Sequence, residues 1–341
     1  MSLQNNSTTP KKARIGVLLS NLGTPDAATP RAVRRYLAEF LSDPRIIELP
    51  RWLWLPALYA VVLNVRPFRS TQAYERIWTT AGSPLMFNMQ RLAVSVSDAL
   101  DRALGFEVPL ALGMRYGNPS IPQALAELSD KGAERIIVLP LYPQYSGTTT
   151  ASTLDAVARA LGSVRVVPEL RFINGYHDAP GFIDAVARSI EDYWKENEPG
   201  ELLLFSFHGI PERCVEAGDP YEEQCQQTAQ LITRRLGLDE HRWRLSFQSR
   251  VGREPWLQPY TDVVVEELAK DGVQSVDVVC PGFSVDCLET LEEIALGERE
   301  RFENAGGKRL AYIPALNDRI EHVRFIADLI QAHAASGVAA R

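Results

Sequence analysis

Residues 17–25 read VLLSNLGTP and residues 203–211 read LLFSFHGIP, so that Ser20, Gly23 and Pro25 fall opposite Ser206, Gly209 and Pro211. Leu22 then faces His208. Residues 136–157 (IIVLPLYPQYSGTTTASTLDAV) lie in the same way over residues 274–295 (QSVDVVCPGFSVDCLETLEEIA), with Pro143 on Pro281, Ser146 on Ser284 and Ala151 on Glu289. Internal repetition constrains the whole architecture, because each copy is one structural unit built to pack on the other. Only the second copy carries an imidazole and a carboxylate at these matched points.

Around the repeated segments, apolar β-rich runs at 15–20, 108–114, 135–141 and 164–170 precede a second set at 201–207, 244–249, 275–280 and 309–314. Their nearly unbroken apolar character predicts strands buried on both faces, as in a parallel sheet. Helical patterns at 122–131, 181–197, 260–270 and 289–304 lie between them, which implies right-handed βαβ units. The expected fold class is α/β, with two similar open domains of four strands each. The first spans 14–175 and the second 176–319, with the break in the turn-rich NGYHDA at 174–179. A C-terminal helix and tail, 320–341, can pack on either domain. Ligands of open α/β sheets bind at the carboxyl ends of the strands. NLGTP, MRYG, YPQYSG, FHGIP, SRVG and CPGFSVD all follow expected strands, so they should line one cleft between the domains.

A chain of 341 residues, 45% hydrophobic and 23% charged, is a normal globular composition with room for two domains. Its net charge of -7 argues against a nucleic-acid partner, which calls for a basic face. The four cysteines form no close CxxC pairs and read as free thiols in a reducing compartment. The polar start, MSLQNNSTTPKKAR, reads as neither signal peptide nor anchor, which makes the cytoplasm the default location. Residues 49–65, LPRWLWLPALYAVVLNV, are interrupted by Arg51 and Pro56 and fall short of the ~20 apolar residues that span a bilayer. Two readings stay open for them: an ordinary core helix, or a Trp-rich surface that lies on a membrane or lines the mouth of an apolar cleft.

His208 sits at a strand end before Gly209 and Pro211. A position that accepts leucine in one copy needs no imidazole for folding, so His208 is read as a metal ligand or a base near neutral pH. Glu289 opens a helix, and Glu293, four residues on, shares its face, while Glu292 turns partly away. Carboxylates in a first helical turn also arise simply from the helix dipole. One imidazole and one carboxylate make an incomplete site for a stored metal and suit a metal in transit. No GxGxxG or GxxxxGK[ST] appears, and neither Ser146 nor Ser206 lies in a GxSxG elbow.

The segments 203–221, 280–294, 139–150, 114–121 and 249–262, in that spacing, resemble the ferrochelatases, over about 16–317. The resemblance implies two Rossmann-like domains around a porphyrin cleft and the insertion of ferrous iron into protoporphyrin IX. The family's imidazole and glutamate fall on His208 and Glu289, with Glu289 and then Glu293 carrying iron or protons from the macrocycle. Leu22, Tyr116, Tyr142, Ser146 and Trp256 are implied as cleft lining, and Arg115 as a propionate neighbour or a structural brace. The stretch 49–69 matches an apolar lip, implying peripheral membrane contact at the inner face. Iron is implied as substrate, with no tightly bound cofactor. The chain departs from many relatives at Cys287-Leu288-Glu289, where they read His-x-Glu, and at Gly297, where some continue the acidic ladder. It ends in AASGVAAR, so no [2Fe–2S] cluster of the kind held by a cysteine-rich tail is expected. Chelation of another metal or a more carboxylated porphyrin, and a non-catalytic tetrapyrrole carrier, are the alternatives.

Overall fold

The computed structural model describes residues 14–252 and 254–335. The polar N-terminal stretch and the tail on which the iron–sulfur expectation rests lie outside the described residues. Strands β1 (Ile15–Asn21), β2 (Leu110–Met114), β3 (Arg135–Pro140) and β4 (Glu169–Phe172) form a parallel sheet in the order β2-β1-β3-β4. Strands β5 (Leu202–His208), β6 (Trp243–Gln248), β7 (Ser275–Val279) and β8 (Arg309–Tyr312) repeat that arrangement as β6-β5-β7-β8. The central strands β1 and β5 are buried along nearly their whole length, as their unbroken apolar sequences require. They occupy equivalent places: Leu22 follows β1 directly, and His208 is the last residue of β5.

The halves share one core. Val17, Leu19, Ile137 and Leu139 of the first sheet join Leu203, Phe205 and Phe207 of the second in a continuous buried cluster. The helix Pro180–Glu196, which follows the expected break at 174–179, packs on Tyr221–Leu236 of the second half. The last helix, Ile320–Ala335, packs back on Pro84–Leu104 of the first, where Arg91 pairs with Asp318 at 2.8 Å.

Two expected elements are corrected. The fourth strand is not 164–170: the extended pairing begins at Glu169, and Val166 is 84% exposed. Pro168 has no N–H for a ladder, so the valines before it stay outside the sheet. The helix expected over 289–304 is α-helical only from Arg299 to Asn304; Glu289–Glu298 is a π-helix. Its i→i+5 hydrogen bonding widens each turn.

The lip is helical throughout, from Arg51–Ala57 through Leu58–Val62 to Leu63–Ile77. Its inner side, Leu58, Leu63 and Tyr74, packs with Val33, Leu37 and Tyr116 into a separate small core, which Leu288 of the second half also joins. Its outer side is bare: Trp52 is 79% exposed, Val65 68% and Phe68 62%. The plain core-helix reading is therefore corrected to a helix with one packed and one exposed apolar face.

Candidate active site

Each strand end is shaped by a glycine turn. After β1, Gly23 has φ +104°, and a side chain there would meet the Tyr116 carbonyl oxygen at 1.8 Å. Only glycine fits, and the chain of NLGTP is thereby held against MRYG, with Tyr116 N–H donating to Leu22 O at 2.9 Å. At the matched point after β5, Gly209 N–H donates to Gln248 O at 2.8 Å, which holds FHGIP against the end of β6.

His208 is half-buried at the end of β5. Its Nδ1 lies 2.7 Å from Gly209 O. A carbonyl can only accept, so Nδ1 carries a proton, and in the neutral ring Nε2 keeps a free lone pair. The rings of Trp256 and Phe283 flank the imidazole, each with its centroid 6.4 Å away. Trp256 comes from the loop after β6 and Phe283 from the turn after β7, so three strand ends converge here.

The π-helix is docked on the same edge. Thr290 Oγ1 accepts from Cys287 N–H at 3.0 Å and donates to Asp286 Oδ1 at 3.0 Å, which fixes its first turn. Gln248 Nε2 donates to Glu289 O at 2.9 Å. Glu293 accepts from Ser249 N–H at 2.7 Å and from Ser249 Oγ at 2.5 Å. Burial raises the Glu293 pKa above the ordinary carboxylate value, although the Ser249 bonds and the His208 charge pull the other way and Glu289 adds to the rise. His208, Glu289 and Glu293 thus form one electrostatic group. Cys287 is buried at the helix start, and burial, reinforced by the Glu289 charge, pushes its thiol pKa well up. As expected, Glu292 turns away, to Arg76 at 2.8 Å; further along, Glu298 is buried, with its pKa raised by burial to about 7.

The first half supplies an aromatic wall. The Glu289 charge reaches the phenols of Tyr36, Tyr74 and Tyr142, whose pKa values are raised mainly by burial. Tyr142 was expected from the sequence and its hydroxyl has no partner among the described residues. Tyr36 and Tyr74 were not expected; they lie on Pro30–Leu41 and on the lip helix, and only their folding onto residue 288 brings them here. Leu22 is half-buried beside them. Arg66, on the same lip helix, is half-buried with no acidic partner among the described residues, its pKa lowered by burial and by Arg69.

Three of the expected lining residues are tied into polar networks of the scaffold. Arg115 donates to Ser152 O at 2.9 Å and pairs with Asp43, contacts of the kind that the brace, one of its two expected roles, requires. Tyr116 is 1% exposed and its hydroxyl donates to Asp43 Oδ2 at 2.8 Å. Ser146 is buried, donates to Asp219 Oδ2 at 2.9 Å and accepts from Thr148 N–H at 3.2 Å, capping the turn Gly147–Ala151. Asp43 and Asp219 thus belong to the site's scaffold, and no local signal in the sequence pointed to them.

An open groove of about 900 Å³ lies on the outer face of the first half between Ile121–Asp130 and Ser152–Leu161, with Arg115 in its lining. Its lining holds no histidine or cysteine and comes from the first half alone, so neither His208 nor Glu289 is part of it. Among the described residues, no group of three or more His, Cys, Asp or Glu side chains is arranged to hold a metal ion.

Residues 14–334 match the family model described as Ferrochelatase. A ferrochelatase of Nitrosococcus oceani is 54% identical over 321 residues, covering 94% of this chain and 87% of its own. A protein named ferrochelatase 1 of Shewanella oneidensis is 49% identical over 333 residues, covering 98% of this chain and 99% of its own. Among solved structures, SirB of Bacillus subtilis with Fe3+ superposes with a TM-score of 0.55 at 11% identity, covering 95% of this chain and 97% of its own. CbiX, described as the terminal enzyme for siroheme biosynthesis in denitrifying bacteria, superposes with a TM-score of 0.51 at 14% identity, covering 93% and 98%. At these identities the two superpositions speak for the two-domain fold alone.

Proposed function

The chain belongs to the ferrochelatase family, and we propose that its cleft works as follows on the reaction this implies, insertion of ferrous iron into protoporphyrin IX to form protohaem with release of two protons. The observation that carries the reading is the convergence of His208, Glu289 and Glu293 at the strand ends of the second half, opposite the tyrosines of the first.

Iron can enter the ring only after both pyrrole N–H protons leave and the macrocycle buckles to open its centre. His208 Nε2, with its lone pair free, accepts a pyrrole proton or holds the incoming iron. Glu289 takes the facing position and brings its negative charge to the metal. Glu293, whose raised pKa favours proton uptake, receives protons from the group and passes them away from the ring. Trp256 and Phe283 press on one side and Tyr142 with Leu22 on the other, a rigid apolar wall suited to holding a bent ring. Arg66 is suited to a ring carboxylate, since an unpaired, half-buried guanidinium is stabilised by an anion, and the exposed Arg69 nearby adds positive charge for the second.

The exposed face of the lip suits a sparingly soluble ring. No helix of the described residues is long and apolar enough to cross a membrane. Trp52, Val65 and Phe68, with Arg69 nearby, fit peripheral contact at the inner face of the membrane from a cytoplasmic position. The deciding experiment is metal insertion by His208→Ala and Glu289→Ala. Both variants should fold and bind porphyrin yet insert no iron. Retained turnover in either refutes the assigned roles, and a parent protein that binds porphyrin without inserting metal would be a carrier. Running coproporphyrin and cobalt beside protoporphyrin and iron fixes the substrate pair; the apolar lip favours the less polar ring.

A further inference from the structure

Arg76 lies in the last turn of the lip helix Leu63–Ile77 and reaches two carboxylates at once. Nη1 donates to Glu292 Oε1 at 2.8 Å and Nη2 to Glu300 Oε1 at 2.9 Å. Glu292 belongs to the π-helix and Glu300 to the α-helix Arg299–Asn304 that continues it. The guanidinium therefore spans the junction at which the backbone changes from wide to normal turns. A π-helix of ten residues is rare and requires outside support. On its inner face that support comes from Gln248, Ser249 and, through Thr290, Asp286. On its outer face Arg76 supplies it.

The lip helix spans about 22 Å at 1.5 Å per residue. Arg66, Val65 and Phe68 lie toward its start, where the ring enters, and Tyr74 and Arg76 toward its end, beside Glu289 and Glu292. One rigid element thus joins the mouth of the cleft to the carboxylates that handle metal and protons.

We propose that Arg76 is a positioning residue: by gripping Glu292 and Glu300 together it holds the wide helix in the register that presents Glu289 and Glu293 to the ring. It does not touch substrate. As an exposed ion pair it adds little to global stability, so its loss acts on geometry. The inference rests on the metal-insertion reading above.

The test compares Arg76→Gln with Arg235→Gln, a remote guanidinium that also bridges two carboxylates, Asp184 at 3.0 Å and Glu191 at 3.1 Å. Arg76→Gln should lower kcat about tenfold or more, because small misplacements of reacting groups are costly. Its KM for ferrous iron should rise while porphyrin affinity, read by fluorescence quenching, stays within about twofold of the parent. Arg235→Gln should match the parent in all three. Arg76→Lys should recover part of kcat, since a single ammonium cannot fork across both carboxylates. A kcat within about twofold of the parent overturns the proposal, and so does a loss confined to porphyrin affinity, which would make Arg76 only a lip residue. If Arg76→Gln does not fold, the double variant Glu292→Gln/Glu300→Gln removes the same grip and must show the same kcat loss. A parent that inserts no iron sinks the functional reading as well; an active parent with an unaffected Arg76→Gln sinks this inference alone.

Discussion

Ser249 holds Glu293 with both its backbone N–H, at 2.7 Å, and its hydroxyl, at 2.5 Å, from a backbone whose φ is +67°. That conformation costs a non-glycine residue about 1 kcal/mol or more, and here it turns two donors onto one carboxylate. Both bonds favour the ionised form and so oppose the burial that raises the Glu293 pKa. Ser249→Ala removes the hydroxyl and should raise that pKa further. The acid limb of the kcat–pH profile is then expected to move to higher pH, with kcat near neutrality down by up to about tenfold, the worth of one charge-assisted hydrogen bond. An unchanged profile in a folded variant would mean that Glu293 does not titrate in the rate-limiting step.

How much of this was legible beforehand depends on the range of the interaction. The pairing of Leu22 with His208 could be read from the repeat, because equivalent strand ends are fixed by local strand and turn patterns. The three valines of 164–167 carry a strand-like pattern, yet Pro168 interrupts it and only Glu169–Phe172 pairs with β3. Glu292 faces away from Glu289 and Glu293 as the ordinary helical spacing implies, but no propensity announces that Glu289–Glu298 is a π-helix. The pairing of Arg115 with Asp43, far away in the chain, has no local signal. Tyr36 and Tyr74 depend on how the lip packs against Leu288, which only tertiary structure settles.

The Asp43 brace makes a separable prediction. Its carboxylate accepts from Ser152 Oγ at 2.6 Å, Arg45 N–H at 2.8 Å and Tyr116 Oη at 2.8 Å, besides pairing with Arg115. Burial alone would raise the Asp43 pKa, but these partners outweigh it and the net shift is downward. The lowered pKa gives stability that is present above the ordinary aspartate range and lost as pH falls through it. Asp43→Ala strands the largely buried Arg115 and should cost about 3–5 kcal/mol in chemical denaturation. Asp43→Ala with Arg115→Ala should cost less than the sum of the two. If Arg115 instead bound the ring, Arg115→Ala would weaken porphyrin binding and leave stability alone.

Glu298 offers a pH-dependent check on burial. Its carboxyl is buried, and burial, only partly offset by Arg301, raises its pKa from 4.5 to about 7. The folded state therefore holds the proton more tightly than the unfolded state, so the group costs stability progressively as pH rises from about 4.5 to about 7. Glu298→Gln should stabilise the protein by about 1–3 kcal/mol at pH 8, since one pKa unit is about 1.4 kcal/mol. The gain should vanish near pH 4. Equal gains at both values would point to packing rather than ionisation.

The lip sets the last expectation. Trp52 and Phe68 project from opposite ends of the lip on a face that no other part of the described chain covers, 79% and 62% exposed. Burying two such side chains in a bilayer interface at roughly 25 cal/mol per Å² is worth about 2–4 kcal/mol. Trp52→Ser/Phe68→Ser should then reduce partitioning onto anionic phospholipid vesicles by roughly 30-fold or more, read by co-sedimentation. Insertion of iron into detergent-dispersed protoporphyrin should stay near the parent rate, because neither residue touches His208 or Glu289. Insertion into protoporphyrin presented in the vesicles should fall in step with binding. Equal vesicle binding by parent and variant would leave the bare face with a different purpose, and a loss of rate in detergent as well would place Trp52 or Phe68 on the ring itself.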